Sequence, residues 1–524
     1  MSRLAALLAG RILLPPLSPA ATKTLAGALG KAAGGVVYHQ SIAAQAGMIY
    51  FLFRRNGEKH LGLIWEAGHR RAAEKDFLGE TQKITISGIP LHLKIAPLDP
   101  PNALALRQRL AFCAPRLLGN RAAFGCGDRL GIATPGHIRA MGGSGLAAVF
   151  AQQSARELSR TGRTPMEVLD CATWGVFQEG WREGYGADAD HLKTSADIDA
   201  FLAAGFTFFT LDPGDKVETA ADSLPAEVII KRFKSLPWKE LATTGAVWRK
   251  TYLDREFSLG KDLWIVFNEE TLLRAGVKYG AALAHIAALY RHLVSRKRPF
   301  ELEISVDETA TPTSLSEHFF VANELRRLRV KWVSLAPRFV GKFEKGVDYI
   351  GDLIQFSVTC RRHAQLSRAL GDYKISLHSG SDKFSIYPVF ARFVGERAHI
   401  KTAGTSYLEA LRVITELDPT LFREILEFAC EHYPKDRASY HVSAELYEVP
   451  KTEDLPDSAL PAFLEHFDTR EVLHVTFGSV LTAKAGKAYR FRNRLLRVLQ
   501  ENEESYYSAL EAHFRRHIQP FAQH

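Results

Sequence analysis

The sequence predicts an α/β chain: a (β/α)8 barrel of TIM type with a small, mostly antiparallel N-terminal subdomain and an insertion after the third barrel strand. Three observations carry that expectation. From about residue 124 onward, short apolar runs alternate with helical stretches, the rhythm of successive βα units with parallel strands. Eight such runs can be counted, at residues 124–133, 174–179, 206–212, 301–307, 331–336, 374–378, 399–403 and 438–443. None returns as a clear hairpin, which favours a closed barrel over an open doubly wound sheet.

Ahead of the barrel, residues 1–35 are rich in Ala, Gly and Leu and read as an N-terminal extension, either mobile or a helical lead-in. Residues 36–110 read as a small α+β subdomain. There, apolar runs at 48–53 and 59–65 flank Asn56-Gly57, a strong hairpin signal, and a second alternating pair, 83–86 and 91–95, is broken by Gly88 and Pro90. Residues 111–524 are assigned to the barrel. Residues 195–205 carry a helix N-cap, an apolar stripe and a terminating glycine before the third strand, and 314–328 repeat the pattern before the fifth. The insertion, about 216–261, is expected to cap the barrel mouth.

Composition narrows the function classes. Hydrophobic residues make up 46% and charged residues 24% of the 524, the balance of a soluble globular protein rather than a disordered or membrane one. The formal charge is +9, but the 67 Lys and Arg are spread along the chain, and the densest run, 291–298, falls where a helix ends. That pattern suits an enzyme drawing in anionic substrates better than a nucleic-acid surface. Five scattered cysteines with no CxxC pair argue against a disulfide framework and a cysteine-held zinc. Arg11, Pro15 and Pro16 interrupt the apolar N-terminus, which disfavours a signal peptide, and no run reaches the roughly 20 apolar residues of a membrane span. A cytoplasmic enzyme with no membrane or nucleic-acid partner is expected, its oligomeric state left open.

Barrel chemistry gathers at the C-terminal ends of the strands, and polar residues gather at these runs' ends. Asp212, Asp307, His378 and His441 are the candidate ligands of a divalent metal, which needs about three protein donors and an open position. Each has a plainer reading. Asp212 before Pro213-Gly214 can shape a turn, Asp307 can cap a helix, and either histidine can be a bonded core residue. Glu301, Glu303, Ser305 and Asp307 share one strand face, so an inward orientation demands pairing, protonation or metal for three carboxylates and makes Glu303 a candidate base. Asp128 and Arg129 are polar groups of the first strand, as proton shuttle and carboxylate fork, or else a structural salt bridge. Thr134-Pro135-Gly136 opens a helix able to receive an anion. Gln178, Arg338, Ser379 and Lys383 lie just beyond other strands and complete the substrate-binding set. The glycines at 125, 127 and 131 have the spacing GxGxxxG, which is not a dinucleotide fingerprint.

Three strings in this frame, residues 127–137 (GDRLGIATPGH), 304–309 (ISVDET) and 374–385 (KISLHSGSDKFS), resemble the tagaturonate epimerase family of hexuronate catabolism. The likeness runs from about residue 36 to the C-terminus. It implies a divalent metal (Zn, Mn, Co, Ni or Fe) and interconversion of D-tagaturonate with D-fructuronate; the residue roles above rest on the strand-end pattern and not on the family. Those two keto-hexuronates differ at a carbon that neither the ketone nor the carboxylate acidifies, so a retro-aldol and aldol route is expected. Glu303 or Asp128 would shuttle the proton, and Arg129 or Lys383 would hold the carboxylate. A class II-like aldolase, a ketose isomerase and a non-catalytic sugar-acid binding protein are the alternatives.

Overall fold

In the computed structural model, which describes residues 19–66, 75–452 and 455–522, eight parallel strands close into a barrel. They are β1 (Ala123–Cys126), β2 (Ala147–Ser154), β3 (Tyr185–Leu192), β4 (Phe208–Leu211), β5 (Glu301–Val306), β6 (Ser334–Pro337), β7 (Lys374–Leu377) and β8 (Ala398–Thr402). Each pairs with the next in sequence, and β8 closes on β1 from His399 opposite Ala123 to Thr402 opposite Cys126. Helices between the strands bury the outer face, as an all-parallel sheet requires.

The total of eight is as expected, but two of its members differ. Residues 174–179 belong to the helix Pro165–Gln178, whose start carries a capping box between Thr164 and Glu167. An apolar run this short does not separate strand from buried helix; the box upstream does. Residues 438–443 form a single helical turn, Arg437–Ser439, followed by irregular chain. The two strands that replace them are β2 and β3. Their sequences, AAVFAQQS and YGADADHL, hold a single β-branched residue, Val149, and place amides and carboxylates in the barrel's interior. The insertion therefore follows the fourth strand, not the third.

That insertion does not cover the mouth. Its helices Ala226–Lys234 and Gly245–Tyr252 lean on the barrel's flank, where Trp248 meets Phe320 of the helix Leu315–Arg327 edge-on and Tyr252 meets it at a tilt. This aromatic cluster fixes the insertion to the barrel's side, so it is a side buttress. The mouth is roofed by the loop between β6 and the helix Leu353–Ala369, and by segments near residues 440 and 474.

The N-terminal sheet has six strands, all antiparallel. Its main hairpin turns at Asn56-Gly57, both at positive φ (52° and 84°), so that Arg55 pairs with Glu58 as a two-residue turn dictates. Helix Pro19–Ala33, within the expected extension, packs Leu25 and Leu29 on one sheet face against Ile49, Phe51 and Phe53. The other face meets Phe177 and Trp174, so the helix misread as a strand is the joint between sheet and barrel. Residues 1–18 lie outside the described residues. All five cysteines are free thiols, and no described helix is long and apolar enough to cross a membrane.

Candidate active site

The strand ends and the loops after them enclose a cavity of about 690 Å³. Its chemistry is concentrated at the ends of β3, β5 and β7. β5 delivers Asp307 and Glu308, β7 delivers His378, and β3 delivers Asp190 and His191. Alternation along β3 turns Asp188 and Asp190 inward and would send His191 out. His191 instead adopts φ +53°, a left-handed conformation rare for a residue with a side chain, and it reaches the same cavity as Asp190.

His191, Asp307 and His378 offer three ligand atoms within 4.8 Å of one another. Each imidazole has a carboxylate behind it and a ring nitrogen in front. His378 Nε2 lies 2.7 Å from Glu303 Oε1 while its Nδ1 faces Asp307 Oδ1 at 3.1 Å. His191 Nδ1 lies 2.9 Å from Asp190 Oδ1 while its Nε2 faces Asp307 and Glu308, both at 3.9 Å. A ligating histidine held from behind by a carboxylate has its tautomer and orientation fixed, so this donor set suits a divalent cation. The electrostatics agree. Burial alone would neutralise these rings, yet Asp307 and Glu303 raise His378 to about 10, and Asp190 raises His191 to about 9. The surrounding carboxylates thus favour positive charge at this spot.

Below this group the barrel interior holds a network of charges. Lys401 Nζ lies 2.7 Å from Asp188, Asp190 and Glu303 alike, and donates to Thr210 Oγ1 at 2.7 Å. Glu303 also accepts from Thr210, Ser334 and His399. Despite burial, Lys401 and His378 hold its carboxyl well below the usual range. The inward reading of the β5 face holds, and its carboxylates are satisfied: Glu301 receives the backbone amides of Leu118 and Gly119 at the far end.

The residues singled out in the sequence divide. Asp307, His378, Arg129, Arg338, Ser379 and His441 all line the cavity. Glu303 lies beneath it, tied into the network, so its place is behind His378 rather than against a substrate. Asp212 is buried, with Oδ1 accepting from Gly214 N at 2.7 Å to shape the turn, while it also stands with His191 and Glu308 in a group able to hold a cation. His441 is exposed on the irregular chain after Arg437–Ser439 and stands in none of the ligand groups found among the described residues, because the strand expected to carry it does not form.

Three candidates are corrected outright. Both oxygens of Asp128 are spent on the backbone amides of Leu130, Gly131 and Ala133 at 2.7–3.0 Å, which braces the loop between β1 and the helix Thr134–Met141. Gln178 sits at the joint with the N-terminal sheet, accepting from Lys59 at 2.6 Å, because it ends a helix and not a strand. Lys383 is fully buried and gives its ammonium to the carbonyls of Glu344, Val347 and Ser381; it pins a loop and does not line the cavity.

Reasoning from strand ends missed His191, Asp190, Lys401, Glu308 and Lys345. Lys401 sits in a strand that was recognised, so a search of its inward positions would have found it; Glu308 follows the end of β5, where strand alternation no longer applies. A second cluster, Asp382, His513 and His517, has the composition of a metal site but is already satisfied. Arg470 stands 3.1 Å from Asp382, His513 donates to it, and His517 Nε2 accepts the Asp382 amide at 2.9 Å.

Comparison with known proteins is consistent with this geometry. The tagaturonate epimerase family profile matches residues 38–521. The chain is 47% identical over 418 residues to the tagaturonate/fructuronate epimerase of Thermotoga maritima, covering 80% of this chain and 84% of the relative. A native crystal structure of fructuronate-tagaturonate epimerase from Cohnella laeviribosi superposes with a TM-score of 0.87 at 36% identity, covering 95% of this chain and 99% of that one. A complex of the same Cohnella enzyme with two glycerols gives the same TM-score over 96% of this chain and 100% of that one.

Proposed function

The chain belongs to the tagaturonate epimerase family, a family of isomerases, and from that premise we propose that it interconverts D-tagaturonate and D-fructuronate by breaking and re-forming one carbon–carbon bond. The observation that supports a metal-assisted route is the convergence of His191, Asp307 and His378, each imidazole backed by a carboxylate. A divalent cation held by these three residues would supply positive charge where negative charge develops on the ketone fragment.

The inverted carbon lies one bond beyond the ketone's α-carbon, so its C–H is not acidic. Its hydroxyl proton is. When that proton leaves, the O–H electron pair forms the carbonyl of an aldehyde, the neighbouring C–C bond breaks, and its electron pair passes into an enediolate of the ketone fragment. Addition of the enediolate to the other aldehyde face, with return of the proton, inverts the centre. Glu308 takes the proton in this reading. It stands on the cavity wall beside His191, and although burial opposes ionisation, His191 and Arg156 hold its carboxyl below the ordinary value and keep it able to accept. Lys401 and Asp190 pair at 2.7 Å on the cavity's lining.

Purified, metal-supplemented protein incubated with D-fructuronate, followed by chromatography that resolves tagaturonate, tests the reading with and without chelator. Metal-dependent appearance of tagaturonate is expected. Free three-carbon fragments would replace it with an aldolase, a shifted carbonyl with a ketose isomerase, and full activity after chelation would remove the metal.

A further inference from the structure

We infer that Lys345 holds the carboxylate of the sugar acid, an assignment that rests on the keto-hexuronate reading of the same cavity. Most cations on the cavity wall already have carboxylate partners. Arg129 pairs with Glu157 at 3.0 Å, Arg156 with Glu308 at 3.1 Å, and Lys401 with three acids. Lys345 has no carboxylate within 4.0 Å among the described residues; its one hydrogen bond is to Ser379 Oγ at 2.6 Å. An ammonium has three donors, so two remain for the two oxygens of a carboxylate. Burial, and then the like charge of Arg156, lower the lysine's pKa against the more distant acids Glu308, Glu157 and Asp307; an anionic ligand beside the ammonium offsets that cost. Arg338 also lacks a carboxylate, but it donates to the Thr309 carbonyl and is less deeply buried.

The position of Lys345 is set on both sides. Arg470 Nε donates to the Gly346 carbonyl at 2.6 Å, and Lys383 donates to the carbonyls of Glu344 and Val347. Gly346 has φ +77° with His474 3.1 Å from where its Cβ would stand, so only glycine makes the turn that aims Lys345 inward. Lys383, expected to bind the carboxylate itself, instead braces the loop that carries the lysine doing so. Ser379 directly follows His378, which puts the ammonium one residue along from the imidazole at the reacting end.

Isothermal titration of D-tagaturonate into the metal-loaded wild type, Lys345→Met and Lys345→Arg tests this, with melting temperatures and steady-state kinetics on all three. Loss of a charged hydrogen bond is expected to raise Kd and KM about 30-fold in K345M with kcat within about threefold, and K345R to recover most of the affinity at an unchanged melting temperature. A Kd for K345M within about threefold of wild type overturns the assignment, as does an equal loss in K345R or a fall in kcat at constant KM. Wild type that binds D-tagaturonate without epimerising it overturns the proposed reaction and leaves Lys345 standing; wild type that does not bind it overturns both.

Discussion

Glu303 Oε1 stands 2.7 Å from His378 Nε2, and this one contact fixes which imidazole nitrogen faces the cavity. With Nε2–H engaged from below, Nδ1 points at Asp307. Glu303 is therefore a positioning residue. Glu303→Gln can still accept a hydrogen bond but removes the charge that makes His378 a strong donor. Divalent-metal affinity, measured by competition with a chelating dye, is expected to fall about 10- to 100-fold, with activity recovering in part at high metal. Unchanged metal affinity alongside lost activity would instead make Glu303 the base.

Glu308→Gln should behave differently. If Glu308 accepts the hydroxyl proton, the variant keeps its metal and substrate affinity and loses about 10²- to 10⁴-fold in kcat. Activity within a few-fold of wild type would rule Glu308 out as the base.

The dependence of these roles on three-dimensional placement explains what the sequence could reveal. Asp307 and His378 follow recognisable apolar runs, so a strand-end rule finds them. His191 follows a strand whose alternate residues are Asp188 and Asp190, and it enters the cavity only through its left-handed backbone, which no periodicity encodes. Residues 174–178 carry an apolar run that fits a strand as well as a buried helix, and the Thr164–Glu167 box that decides between them lies ten residues upstream of it. Lys345 sits in irregular chain whose aim is set by Arg470 and Lys383, far away in sequence. Local pattern gives elements and their ends; long-range bracing gives the rest.

Asp128 separates loop bracing from catalysis. In Asp128→Asn one carboxylate oxygen becomes an amino group facing a backbone N–H, so at least one amide among Leu130, Gly131 and Ala133 loses its acceptor. A loss of about 1–3 kcal/mol in chemical denaturation is expected. The folded fraction should retain kcat within about tenfold of wild type. A drop of three orders of magnitude at unchanged stability would restore Asp128 to the chemistry.

Metal itself gives a measurement independent of turnover. Elemental analysis of dialysed protein is expected to find about one divalent ion per chain, lost in His191→Ala. Loss of the ion in Asp382→Asn with retention in H191A would move the site to the Asp382, His513 and His517 cluster.

The roof of the cavity carries a pH dependence of its own. Glu471 and Glu344 both accept the Ser443 amide at 3.0 Å, and Glu471 also accepts that of Ala444, so two acids clamp the chain that bears His441 against the loop that bears Lys345. Burial, and then the like charge of Glu344, push the Glu471 carboxyl up to about 8. In the unfolded chain this group titrates near the ordinary glutamate value, roughly 4.3. Its protonated form therefore favours the fold: the contribution is complete below the unfolded value, shrinks as pH rises, and is gone above about 8, where two neighbouring anions must share one clamp. Melting temperature should decline from pH 5 to pH 8.5 in the wild type. Glu471→Gln, which keeps the acceptor without the charge, should flatten that decline, and the same slope in both proteins would show that Glu471 is already ionised in the fold.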